Sequence, residues 1–201
     1  MSKGYVFGCS HTYGHGLEDC YDKDTGWPST VPSKLAWPHL LQVMGLYKEY
    51  TNFSQVGDSS DDVLKKLLDS DVTKNDICII LWPTYTRRSV YEDDNLKTHR
   101  VQDKDATDFY KNTHINELKY NFYKNILLAN LYTDVYNIFV DLEDLDMQTL
   151  LCPKLSNFQH KFSNINFQNV LNNYPKALDG VHAGVNAHIH LAKQINTFIN
   201  N

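Results

Sequence analysis

The chain lacks the features that would place it in several large functional classes. Its four cysteines, Cys9, Cys20, Cys78 and Cys152, are scattered through 201 residues without a CxxC pair. That spacing supports neither a zinc site nor a disulfide framework, and a reducing compartment is the simpler expectation. No apolar run approaches the roughly 20 residues needed to cross a bilayer. No basic stripe is present: charges of both signs are interspersed, the net charge is −5, and nucleic acid is not expected as a partner. No glycine-rich phosphate loop follows any apolar run, which argues against a nucleotide-binding domain. Internal repeats and low-complexity segments are absent. Met1-Ser2-Lys3-Gly4 leads straight into an apolar run, so no secretory leader is expected and a cytoplasmic location is inferred.

What is present suits one domain, residues 1–201, with 42% hydrophobic residues. The richness in Asn, Lys, Ile, Tyr and Asp is that of an AT-rich genome, such as a phage's or a bacterium's. Apolar runs at Tyr5-Val6-Phe7, Lys48 to Phe53, Asp76 to Trp82 and Val135 to Val140 read as strands. The third is apolar without alternation, as in a central parallel strand covered on both faces. Helical patterns fall between them. Ala36 to Gly45 has Pro38 in its first turn. A second helix follows Asp58 or Ser59 as cap and carries Val63, Leu64, Leu67 and Leu68. His114 to Leu131 is a third, and the chain ends on one with Ile189, Leu191, Ala192, Ile195 and Ile199 on its buried side. Alternating strands and helices predict an α/β fold, a three-layer α/β/α sandwich with a mostly parallel sheet. Polar stretches at Glu18–Ser33 and Tyr91–Phe109, the acidic loop Asp141–Asp144 and an irregular Met147–Tyr174 segment interrupt the pattern.

Ligands bind such folds at the carboxyl ends of the strands. There the first strand stops at Gly8 and gives way to Cys9-Ser10-His11-Thr12-Tyr13-Gly14. A serine at a sharp strand-to-helix turn exposes its hydroxyl beside free backbone N–H groups, which suits a nucleophile, although many such serines only cap a helix. A serine hydroxyl needs a base within hydrogen-bond reach. His182 is the candidate, with Asp179 three residues earlier able to reach its Nδ1. An Asx-turn with a surface histidine is the competing reading of Asp179-Gly180-Val181-His182. The Glu18–Ser33 stretch leaves the site directly and is either one wall of it or a surface excursion.

Three blocks carry a family resemblance. Phe7 to Gly14 resembles the first block of the SGNH (GDSL-type) hydrolases. Asn52 to Ser60 resembles the second, with Gly57 at the glycine that donates a backbone N–H, and Asp179 to His182 resembles the last. The resemblance implies a flavodoxin-like, mostly parallel five-stranded sheet of order 2-1-3-4-5. It also implies ester hydrolysis through an acyl-enzyme, acting on an acyl or acetyl group of a lipid or carbohydrate and needing no cofactor. Ser10 would attack, His182 would shuttle the proton and Asp179 would orient His182. The N–H groups of Ser10 and Gly57 would bind the oxyanion.

Two departures stand out. Cys9 replaces the family's Asp. The family's oxyanion Asn after the third strand is missing, since Trp82-Pro83-Thr84-Tyr85 stands there; Thr84 is the substitute donor, with shorter reach. Losing one such donor costs about 3–4 kcal/mol, so a catalytically weak or inactive module that binds a glycan or acyl ligand is the alternative function. His11, Tyr13 and Trp82 are candidate substrate contacts. Arg87 and Arg88 suit a solvated pair, with Arg87 carried as a candidate binder of an anionic group. His11 and His15, with His188 and His190, have no acidic or cysteine partner at matching spacing, and no metal is expected.

Overall fold

The computed structural model of the chain describes residues 3–92, 95–100, 103–140 and 153–201. The expected loop at Asp141–Asp144, Cys152 and the start of the Met147–Tyr174 segment lie outside the described residues.

Four parallel strands form the sheet: β1 (Gly4–Phe7), β2 (Tyr50–Asn52), β3 (Ile77–Trp82) and a last strand, Val135–Phe139, in the order second, first, third, last. Gly4 pairs with Tyr50 on one side and Ile77 on the other. Alternation along each strand sorts the core into two layers. Tyr5, Phe7, Cys78, Ile80 and Trp82 face one way and pack against α3 (Ser60–Leu68) and α5 (Ile115–Tyr132). Val6, Ile79, Leu81 and Ile138 face the other way. They meet α2 (Trp37–Val43), α6 (Phe167–Asn173) and the final helix α7 (Val185–Asn200). The α/β/α sandwich expected from the alternating pattern is therefore the fold. The described residues also include the short helices α1 (Ser10–Tyr13), directly after β1, and α4 (Thr107–Asn112), before α5.

Among the described residues four of the five expected strands are seen. Among the described residues the fifth strand is reduced to one parallel bridge, Asn137 to Phe162, with Ser163 N–H donating to the Asn137 carbonyl at 2.9 Å. A 3-10 helix, Pro153–Lys161, runs into that bridge. The residues after it, Ser163-Asn164-Ile165-Asn166, hold one β-branched side chain, too little to sustain a ladder.

The polar stretch after β3 is a second, antiparallel element. β4 (Arg88–Glu92) and β5 (Asn95–His99) form a hairpin in the register Arg88 with His99; Val135–Phe139 is accordingly β6. Polar bonds bolt the hairpin to the start of α3. Ser59 caps that helix in a capping box with Asp62, and the Asp62 carboxylate also accepts from Ser89 Oγ and Thr98 Oγ1. Asp61 accepts from the Ser89 N–H and pairs with Arg88 at 2.7 Å. No apolar alternation marks such a hairpin.

His188 sits in the core on α7, 1% exposed, its Nδ1 accepting from the Trp37 N–H at 3.2 Å. Burial pushes its pKa down from 6.5 to about 4. The unfolded chain therefore takes up a proton that the folded chain refuses, and stability falls with pH. The loss begins near 6.5 and continues through the folded value, reaching about 2 kcal/mol at pH 5 from this group alone. Urea unfolding between pH 7 and pH 5 checks it: the midpoint drops with acid, and a flat profile contradicts the buried neutral imidazole.

Candidate active site

Gly8 ends β1 with φ +154, and a Cβ there would lie 2.2 Å from Thr12 Oγ1. Glycine lets the chain turn tightly enough to start α1 at Ser10, with Cys9 as an extended N-cap. The other half of the site is a turn before α7. It is closed by the antiparallel bridge Lys176 to Ala183 and tied to the N-terminal loop by Leu178 N–H to the Gly16 carbonyl at 2.9 Å. Gly16 allows the contact, since a Cβ there would meet Asp179 Cγ at 2.8 Å.

These constraints bring together side chains 172 positions apart. Ser10 Oγ lies 2.9 Å from His182 Nε2, and His182 Nδ1 lies 2.5 Å from Asp179 Oδ2. The other Asp179 oxygen accepts from the N–H groups of Val181 and His182, which fixes the carboxylate against the ring. Burial lowers the His182 pKa below the ordinary histidine value, although Asp179 pulls the other way. Burial alone would raise the pKa of Asp179, but the Val181 and His182 donors outweigh it and hold the group ionised below its usual range. The outcome is a neutral imidazole with one nitrogen turned to a hydroxyl, a base poised for proton transfer.

A cleft of about 530 Å³ opens over this group. Gly57 lines it, with φ +96, as do Arg87, Arg100, His15, Val181 and, from the Glu18–Ser33 stretch, Thr25, Gly26 and Trp27. That stretch therefore forms a wall of the site. Ser10 and Gly57, both expected at the oxyanion position, border the same cleft.

Several expected contacts are elsewhere. Trp82 is the last residue of β3 and faces the α3/α5 layer; it is fully buried and its Nε1 donates to Asn137 Oδ1 at 2.8 Å. Tyr13 points away from the cleft and donates to the Ser29 carbonyl at 2.6 Å. The His11 ring wedges behind the triad, 4.8 Å from Phe167 and 4.9 Å from His182, so it supports the base and does not line the cleft. Thr84 does not replace the missing Asn: its hydroxyl pairs with Thr86 Oγ1 at 2.9 Å, off the cleft wall. Arg87 reaches the cleft, whereas Arg88 is consumed by Asp61.

Trp27 and Arg100 carry no motif and escape a reading of the sequence, which weighed His15 only as a metal ligand. The His15 ring lies 4.7 Å from His182, and His15, Asp179 and His182 offer ligand atoms within 4.8 Å of one another. That set could take a metal ion only by giving up the His182 bonds to Ser10 or Asp179.

No protein-family model matches the chain, and no curated protein matches its sequence. Solved structures do match. A carbohydrate esterase, described as having divergent catalytic and non-catalytic binding functions at its active site, superposes on 99% of this chain with a TM-score of 0.61 at 15% identity; the chain spans 64% of that protein's length. A member of the lipolytic G-D-S-L family from Veillonella parvula DSM 2008 matches over 100% of both chains, with a TM-score of 0.55 at 13% identity. Phospholipase A1 from Streptomyces albidoflavus NA297 matches over 98% of both, with a TM-score of 0.55 at 10% identity. Likeness at these identities is likeness of fold, and the fold is the one these G-D-S-L proteins share.

Proposed function

We propose that this chain, with the G-D-S-L hydrolase fold, is a serine hydrolase that cleaves a carboxylic ester through an acyl-enzyme. The observation that carries the reading is the unbroken line from Ser10 Oγ through His182 to Asp179. Ser10 Oγ attacks the ester carbonyl while His182 Nε2 takes its proton. The charge that develops on the carbonyl oxygen is received by the backbone N–H groups of Ser10 and Gly57, for which no partner is recorded among the described residues. Collapse expels the alcohol, protonated by His182, and leaves the acyl group on Ser10. Water, deprotonated by the same imidazole, then releases the acid and restores Ser10. Asp179 holds the ring in one tautomer and stabilises its cationic form. Carbohydrate and lipid esters are the substrate classes proposed, with Trp27, 67% exposed at the cleft, as an apolar surface for either.

A fluorophosphonate probe tests the nucleophile. It labels Ser10, seen as one adduct on the peptide that spans it, and leaves Ser10→Ala unmodified. The labelling rate rises with pH through an inflection below the ordinary histidine value, because burial keeps His182 neutral there. A folded chain that resists the probe across this range points instead to the module that binds without cleaving.

A further inference from the structure

We propose that the ester this cleft accepts carries a negatively charged group, a carboxylate or a phosphate, gripped by Arg87 and Arg100. The inference rests on the hydrolase reading for the word ester, but the anion site itself does not.

The two arginines sit at the two ends of the β4–β5 hairpin. Arg88 pairs with His99 at its base, and Arg87 and Arg100 are the next residues outward on either strand. Both line the cleft with Ser10, Gly57 and His182. Arg100 is packed against the Gly57 backbone so closely that a Cβ at Gly57 would fall 2.0 Å from its Nη2. Any Cβ at position 57 would displace this guanidinium from its present place, and the positive φ favours glycine there in its own right.

The nearby described carboxylates are committed elsewhere: Asp103 accepts from the Arg100 backbone N–H at 3.0 Å and forms no ion pair with either guanidinium. Asp58 holds Lys66 at 2.6 Å and the Gln55 N–H at 2.8 Å, and it meets Arg87 only through its carbonyl at 3.5 Å. Asp61 holds Arg88, and Asp62 holds Ser59, Ser89 and Thr98. Among the described residues no ion pair to Arg87 or Arg100 is found. The Arg100 Nε is buried without a hydrogen-bond partner, as are both ring nitrogens of His15 across the cleft. Buried polar atoms are nearly always satisfied by something, and a guanidinium fork fits the oxygens of a carboxylate or phosphate. The chain as a whole is anionic, with a net charge of −5, so two unpaired cations beside a nucleophile are a local feature set against the general field. The same network that bolts the hairpin to α3 holds them there.

The test compares para-nitrophenyl acetate with two charged esters. In para-nitrophenyl hemiglutarate the carboxylate is on the acyl side; in a carboxy-substituted nitrophenyl acetate it is on the leaving group. The readout is the ratio of kcat/KM, charged over neutral. Wild type favours one charged ester by about tenfold or more, and Arg87→Gln/Arg100→Gln lowers that ratio at least about tenfold, while Arg87→Lys/Arg100→Lys keeps part of it. A ratio near one in wild type for both esters, or a ratio in the glutamine variant within about twofold of wild type, overturns the proposal. Equal losses on charged and neutral esters leave the ratio unmoved and so also overturn it, pointing to oxyanion stabilisation.

A second arm does not depend on turnover. Trp27 is the exposed tryptophan at the cleft, whereas Trp37 and Trp82 are fully buried. In Ser10→Ala, glutarate or inorganic phosphate changes Trp27 fluorescence, and whichever binds more tightly identifies the anion; the glutamine variant loses the response. Anion binding with no ester turnover upholds the site and ends the hydrolase reading. Turnover without charge preference or anion binding does the reverse.

Discussion

Ester hydrolysis by the Ser10→Ala/His182→Ala double variant falls no further than in either single variant, each of which loses on the order of 10⁶ in kcat. Two groups that acted independently would multiply their losses. Here Ser10 Oγ and His182 Nε2 stand 2.9 Å apart, and in the proposed hydrolysis they share one step, transfer of a proton as a bond forms. Removing the hydroxyl leaves the imidazole nothing to deprotonate except water. Removing the imidazole leaves a hydroxyl that at neutral pH is a weak nucleophile. What survives in all three variants is the binding of the ester and the polarisation of its carbonyl by backbone donors. The two singles and the double therefore converge on one residual rate. Burst kinetics with para-nitrophenyl acetate check it, since the burst disappears wherever Ser10 is absent. A double variant slower than both singles by the product of their losses would separate Ser10 from His182 and remove the common step.

The sandwich and the meeting of Ser10 with His182 and Asp179 were legible in the sequence for the same reason. Buried parallel strands need continuous apolar runs, and a nucleophile needs a turn at the end of one, so Phe7 to Ser10 announced both. Asp179 and His182 were legible because a carboxylate three residues before an imidazole needs only one tight turn to reach it. Trp82 was misplaced although the signal was available: it shares parity with Cys78 and Ile80, and alternation assigns all three to the face covered by α3 and α5. The hairpin was illegible for a physical reason. Its strands are held by Asp61, Asp62, Ser89 and Thr98 and not by an apolar face, so no period in hydrophobicity reveals it. Arg100 was lost with it. Its place beside Gly57 follows from the ladder register, and register is a property of two strands together. Among the described residues the fifth strand is only a bridge, for the opposite reason. The family pattern called for it, but the Asn-rich residues after Lys161 lack the side chains to build it.

Replacing Asp61 with alanine costs about 3–5 kcal/mol of stability, a large share of the roughly 5–15 kcal/mol typical of a domain. One oxygen of this carboxylate accepts from Asn121 Nδ2 at 2.8 Å and Asn125 Nδ2 at 3.0 Å and faces Arg88 at 2.7 Å; the other accepts from the Ser89 N–H at 3.0 Å. Burial by itself would raise its pKa, yet these donors reverse the shift, and the group stays ionised below the usual range. Alanine leaves the amide of Asn121 without its acceptor and the Arg88 cation with only the Ser89 carbonyl at 3.1 Å, and that penalty exceeds the value of any single bond lost. Asn125 keeps one partner, Ser60 Oγ at 3.1 Å, so the loss is concentrated on the hairpin side. Asp61→Asn keeps one acceptor oxygen and loses the charge, and falls between the two. Urea unfolding of the three proteins at neutral pH orders them by midpoint with a common slope. The catalytic consequence is separate from the stability loss. Arg87 and Arg100 stand one residue beyond the Arg88–His99 base pair of the hairpin, so freeing Arg88 and Ser89 loosens the walls of the cleft while Ser10, His182 and Asp179 keep their places. In the folded fraction, discrimination between charged and neutral esters therefore falls in Asp61→Ala while fluorophosphonate still labels Ser10. A stability change below about 1 kcal/mol would mean that water satisfies the stranded donors, as it does for surface ion pairs, and that the hairpin is held by Asp62 alone.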